Sequence, residues 1–197
     1  MSNNDAHTKA LSKSCFYHIR SFRQIRSAMD HPTAVSVALA LVSSHLDYAN
    51  SILPGCPQKH IARLQRAQNA LARVVSQQGY HISSSVGLLL EQLHWLPVEW
   101  RIRFKLATLT YKALHSGLPP YLADLLHYHK TTRPTRLSST QPLSVPRYNL
   151  SFGSRAFRVS APKVWNSLSF QIRQSDSFPT FKRHLKTHCF QSAYLTS

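Results

Sequence analysis

Acidic residues are scarce in this chain: Asp and Glu together number 7 among 197 residues. They are Asp5, Asp30, Asp47, Glu91, Glu99, Asp124 and Asp176, and no two lie closer than eight positions apart. Nucleotidyl transfer and nuclease chemistry need clustered carboxylates that hold two divalent metals about 4 Å apart. So thin a supply argues against an enzyme acting alone, and no catalytic residue is assigned. Glycine is scarcer still, at 5. Neither the phosphate cradle GxxxxGK(S/T) nor the dinucleotide motif GxGxxG occurs. The nucleophile elbow GxSxG is missing too. Three cysteines, Cys15, Cys56 and Cys189, show no metal or disulfide spacing, which fits a reducing compartment. The longest apolar run, near Ala38 to Val42, falls far short of the roughly 20 residues that span a bilayer. No secretory signal is legible. The Arg and Ser of the first thirty residues mimic a mitochondrial presequence, but Asp5 and Asp30 run against one. The expectation is an intracellular protein, nuclear or cytoplasmic, neither secreted nor transmembrane.

What is present is positive charge. Lys and Arg number 24, giving a net charge of +17, beside a hydrophobic fraction of 43%. That fraction is enough for a core. The uncompensated charge calls for a polyanion, of which nucleic acid is the commonest and an anionic membrane surface the next.

Periodicity predicts an all-α chain. Residues 1–10 read as a disordered leader. A helix from about Leu11 to Met29 carries Cys15, Ile19, Phe22, Ile25 and Met29 at spacings of three or four. Asp30-His31-Pro32 ends it. A second helix is expected from about Thr33 to Ser51, and a third from Pro57 to Gln77, closed by Gly79. On the third, Ile61, Leu64, Leu71 and Val75 fall within about 80° of arc. These helices form one bundle, residues 11–77, with a joint near 78–84. A second helical segment, 78–127, holds a short helix ending at Leu93-His94-Trp95-Leu96-Pro97. It continues with a long helix from Val98 to His115 and a short one opened by Pro119-Pro120. Residues 128–151 read as a basic linker or arm rich in Pro, Ser and Thr, with short strands near Leu143 to Val145. An aromatic-rich C-terminal segment, 152–197, ends in a helix from about Pro179 to Phe190.

Three helices each carry a one-sided basic stripe. The first holds Lys9, Lys13 and Arg20, bordered by Arg23; the second Lys59, Arg63, Arg66 and Arg73; the third Arg101, Lys105 and Lys112. Ordinary soluble helices interleave Glu with Lys to gain pair energy. Its absence leaves a positive field suited to phosphates. Two metal-like patterns stand beside the stripes. His45-Leu46-Asp47, with His127 or His129 as third ligand and Arg133 or Arg136 for an oxo-acid, has the residue types of an iron oxygenase. Its bland reading is a polar helix end. His184, His188 and Cys189 share a helix but lack a further ligand pair, so surface histidines are the plainer reading. No metal and no cofactor is assigned. The aromatics of Leu93 to Pro97, with Trp165 and Phe170, have the content to stack on bases, but tryptophan among leucines usually belongs to a core.

Five segments recur in one order: KSCFYHIR at 13–20, LDYANSIL at 46–53, and LQRAQNALARVV at 64–75. LHWLPV at 93–98 follows, with Arg101-Ile102 and TYKALH at 110–115. APKVWNSL at 161–168 comes last, followed by Phe181-Lys182 and Leu185-Lys186-Thr187. In this register the chain resembles, from about residue 11 to 191, the C-terminal end of the reverse transcriptase of LINE-type (non-LTR) retrotransposons, of the jockey-like or CR1/L2 kind. The resemblance implies a helical thumb followed by a post-thumb region, lying after the palm that carries the catalytic aspartates. None of those aspartates has a counterpart here. It implies contact with the RNA or DNA backbone of a template–primer duplex, no small-molecule substrate, no membrane role, and self-association through an apolar patch that a palm would cover. Two other functions are weighed: a domesticated protein-interaction module, and an iron-dependent oxygenase-related segment. Elements of this type are also similar to a short segment attached to AlkB-homologue proteins that modify tRNA, a similarity that carries no iron site.

Overall fold

The computed structural model describes residues 3–45, 57–77, 85–129, 142–147 and 156–195. Among these the chain is all helical, with one isolated antiparallel bridge, Tyr128 to Leu143, and no strand. The helices are α1 (Asn3–Ile25), α2 (His31–Ala38), α3 (Gln58–Val75), α4 (Val86–Gln92), α5 (Val98–Ser116), α6 (Pro120–Ala123), α7 (Phe157–Ser167), α8 (Phe170–Arg173) and α9 (Phe178–Tyr194). No described helix is long and apolar enough to cross a membrane. The chain divides into two compact units, residues 1–101 with 193–197, and residues 102–192. The division falls inside α5, between Arg101 and Ile102; the joint expected near 78–84 lies outside the described residues.

In the first unit α1 packs chiefly against α3. Its inward stripe is Thr8, Ser12, Cys15, Ile19, Phe22 and Arg26, within about 80° of arc at 100° per residue. Two expectations are corrected here. The leader is helical from Asn3, because Thr8 extends the buried stripe by two further turns. Ile25 is 48% exposed, and Arg26, in a short 3-10 turn (Arg26–Ala28), takes the inward place. Arg26 Nε and its η2 nitrogen donate to the carbonyl of Val75 at 3.0 and 2.8 Å, and the η1 nitrogen donates to Met29 at 2.8 Å. The guanidinium therefore satisfies a carbonyl that the end of α3 would otherwise leave orphaned. Asp30 does not only stop α1. Its Oδ1 accepts from the Thr33 amide at 3.0 Å, capping α2 two residues earlier than expected, with Pro32 in the tolerated first turn. Hydrogen bonding from the Thr33 side chain, and then from its amide, lowers the Asp30 carboxyl below its ordinary value. Beyond α2 the helix widens into a π turn over Leu39–Ser43. The expected extension to Ser51 passes outside the described residues, as does Gly79.

The loop at Leu93 to Pro97 closes α4 through His94, whose φ of 53° lies in the left-handed region. It is pinned by side chains. Gln68 Nε2 donates to Leu96 O at 2.9 Å, Arg101 Nε donates to the same oxygen at 3.2 Å, and the Tyr194 hydroxyl donates to Trp95 O. Gln65 Oε1 accepts from the Val98 amide at 2.9 Å, satisfying one orphan donor at the start of α5.

The second unit is built on rings. Tyr111 stacks on Phe181 at 4.3 Å, and Trp165 meets Phe181 at 5.8 Å. The Tyr111 hydroxyl donates to Ser175 O at 2.8 Å; burial, then the nearby Asp176 charge, raise its pKa. Gly117, at φ 62°, ends α5 as its position predicts. The arm expected over 128–151 is described only at 128–129 and 142–147. There it is docked: Leu143 is buried, and its N–H and C=O both pair with the Asn166 amide at 2.8 Å. The final helix outruns its expected limits, Pro179 to Phe190, at both ends.

Candidate nucleic-acid interface

The ten cations singled out in the sequence do not form one site. Eight belong to the first unit, and Lys105 and Lys112 to the second. On α1, Lys13, Arg20 and Arg23 are exposed, as is Lys9, although Arg23 also engages another group of the chain. A helix that buries one narrow stripe leaves the rest of its circumference to water.

On α3 the four-residue stripe splits. Lys59 and Arg66 are exposed, whereas Arg63 and Arg73 are half-buried and engage other groups of the chain. The buried sector of α3 is wider than Leu64, Leu71 and Val75 suggest, since His60, Ala67, Gln68, Ala70, Ala72 and Val74 are also inside. At about 100° per residue, Arg63 falls between Ala70 and Val74, on the edge of that sector. Ile61, expected in the core, is only half-buried.

The α5 stripe is compromised at both ends. Arg101 is half-buried and holds the Leu96 carbonyl. Lys112 is exposed, but its ammonium stands 4.7 Å over the Phe178 ring. Lys105 alone of the three is exposed with no such tie described. Sequence reading missed a basic face on α9, where Lys182, Arg183 and Lys186 are exposed and Lys182 stands 5.8 Å over Phe178. Their one-sided spacing was the available signal. Arg26 was missed as well, because nothing local distinguishes a buried arginine from a solvated one.

The first unit also holds a groove of about 660 Å³ that no motif announced. Gln58, Ile61, Gln65 and Asn69 of α3 form one wall, Val86, Leu88, Leu90 and Glu91 another, and Glu99, Trp100 and Tyr194 complete it. Two of the seven acids therefore face this groove. On α3 its lining and the cations occupy adjoining sectors. Burial, and secondarily the Glu91 charge, push the Tyr194 phenol well above its ordinary pKa, so it remains a donor.

Among the described residues no group of three His, Cys, Asp or Glu converges as a metal would need. His45 stacks on His18 at 5.3 Å, and Asp47 lies outside the described residues, as do Arg133 and Arg136. His184 is exposed while Cys189 is buried in the core, its thiol pushed up to about 11 by burial. Cys15 is likewise buried and raised to about 11. Neither thiol has the exposed, electropositive setting of a reactive cysteine. Trp95 and Trp165 are core residues, and Phe170 is exposed at 37% with Arg173 over it at 5.9 Å. Compared with family models, with curated proteins and with solved structures, the chain matches none.

Proposed function

We propose that this chain is the non-catalytic thumb and post-thumb part of a non-LTR retrotransposon RNA-directed DNA polymerase, and that it grips the backbone of RNA or DNA. The observation that carries the backbone contact is the solvent exposure of Lys13, Arg20, Lys59 and Arg66 on two helices that pack together. Residues 6–29 and 48–90 contain no acid to neutralise them. Phosphates compensate such a field by displacing condensed counterions, without reading sequence. The order of the five segments supports the origin. The proposal includes self-association, which the exposed Leu118, Tyr121, Leu125 and Tyr128 of the second unit would favour.

The test is a salt titration of duplex binding by the full chain. Each phosphate contact contributes roughly −0.9 to the slope of log affinity against log salt on B-form DNA. Lys59→Ala with Arg66→Ala should flatten that slope by about 1.8 and weaken all sequences alike. Affinity that ignores salt would reject the reading. A second reading, a protein-interaction module, is favoured by the groove, because Glu91 and Glu99 would repel a polyanion. Salt-insensitive capture of a folded partner would support it instead.

A further inference from the structure

The exposed face of α1 holds more than charge. Tyr17 is 69% exposed and Phe16 43%, although the helix has a buried stripe that accommodates Phe22. At about 100° per residue, Lys9, Lys13, Phe16, Arg20 and Arg23 fall within about 80° of arc, and Tyr17 stands about 40° beyond Lys13. Lys13 and Arg20 lie one turn before and one turn after both rings. The two rings are thus flanked by cations at each end, on a stretch, 6–29, free of acids. The whole strip runs about 21 Å along the helix, at 1.5 Å per residue from Lys9 to Arg23.

Two properties must be matched by whatever lies here. It must be a polyanion, to balance Lys9, Lys13 and Arg20, which have no counter-charge among the described residues. It must also offer flat apolar faces, to cover two rings that otherwise stay in water. A duplex meets the first demand only, because its base faces are stacked inside. A single strand meets both, with phosphates for the cations and unpaired bases for the rings.

We infer that the exposed face of α1 is a stacking platform for single-stranded nucleic acid, with Phe16 and Tyr17 as the base-stacking residues and Lys9, Lys13 and Arg20 as the phosphate contacts. This rests on the proposed backbone binding and refines it, since α3 itself carries no Phe, Tyr or Trp. Stacking tolerates any base, so the platform sets strand state and leaves sequence unread.

The experiment compares three probes of equal length with the full chain: an oligo-dT strand, an abasic strand and a duplex. The abasic strand keeps the phosphates and lacks the bases. The chain should hold oligo-dT more tightly than the abasic strand. Phe16→Ala with Tyr17→Ala should weaken oligo-dT binding about 100-fold, roughly tenfold per ring, and leave the other two probes nearly unchanged. Tyr17→Phe should retain binding. Lys13→Ala with Arg20→Ala should weaken both single strands. Equal affinity of the unaltered chain for oligo-dT and the abasic strand overturns the platform, and that comparison needs no variant to fold. So does a double-ring variant that loses equally on both strands, or on neither. If these results come with salt-dependent duplex binding intact, only the platform fails. If the unaltered chain binds none of the three probes, the backbone reading fails with it.

Discussion

The first unit buries mostly small and aliphatic residues beside Phe22 and Trp95, whereas the second gathers its rings into one cluster. Cys15, Ile19, Ala34, Ala38, Leu64, Ala67, Leu71 and Val75 are buried in the first. Tyr111, Trp165 and Phe181 are buried in the second. The cations follow the same division. In the second unit Lys112 and Lys182 both stand over Phe178, a partner within the unit itself. In the first, those of α1 face solvent beside exposed Phe16 and Tyr17. On α1 the inward stripe of Cys15, Ile19 and Phe22 leaves Lys13 and Arg20 on the outer circumference. A ring cluster, in contrast, extends to the surface and engages the cations there. A count of Lys and Arg therefore weighs differently in the two units.

The largest test of this contrast is core truncation. Phe181→Ala removes the ring on which Tyr111 and Trp165 rest, and should cost about 3–5 kcal/mol. Leu64→Ala, at a fully buried position of the first unit, should cost about 2–5 kcal/mol. Urea denaturation gives the magnitude. Among the described residues each unit holds one buried thiol, so peptide-resolved alkylation shows where the structure opens: at Cys189 for the first variant, at Cys15 for the second. A Leu64→Ala chain as stable as the parent would mean that α3 does not rest on that face.

A smaller effect concerns Arg26. Arg26→Ala strips the Val75 and Met29 carbonyls of their donors and should cost about 1–3 kcal/mol. Arg26→Lys should recover only part, because an ammonium lacks the planar fork. The readout is the denaturation midpoint beside that of Arg20→Ala, an exposed arginine of the same helix that should be nearly neutral. Equal losses would erase the distinction between a structural and a solvent-facing arginine.

The smallest effect is at Lys112. Lys112→Ala should cost about 0.5–1 kcal/mol, the range of an exposed cation over a ring. It should also change the salt slope of binding less than Arg66→Ala does. A larger change in slope than in stability would show that the ring does not occupy this ammonium, and that the second unit contributes to backbone contact after all.

Helical period was readable because it is a local property. The inward Cys15, Ile19 and Phe22, the outward Lys13, Arg20, Lys59 and Arg66, and the ends of α4 and α5 followed from spacing and turn residues alone. The buried part of the Pro- and Ser-rich arm was not readable, because Asn166, its partner, lies 23 positions away from Leu143. The same holds for the residues around the groove. Gln65 and Gln68 look like solvated helix polars, yet they hold the Leu96 to Val98 backbone.

By itself the sequence determined an all-helical chain with excess positive charge, sorted into inward and outward rows. Each of these depends on residue type and on spacings of three or four. Only the tertiary structure decided which cations remain available. It sent Arg26 inward to a carbonyl 49 residues away, half-buried Arg63 and Arg73, tied Arg101 to a loop, and set Lys112 over a ring. A guanidinium or ammonium has the same charge in every setting, and its role is fixed by which acceptor or ring the fold brings within reach.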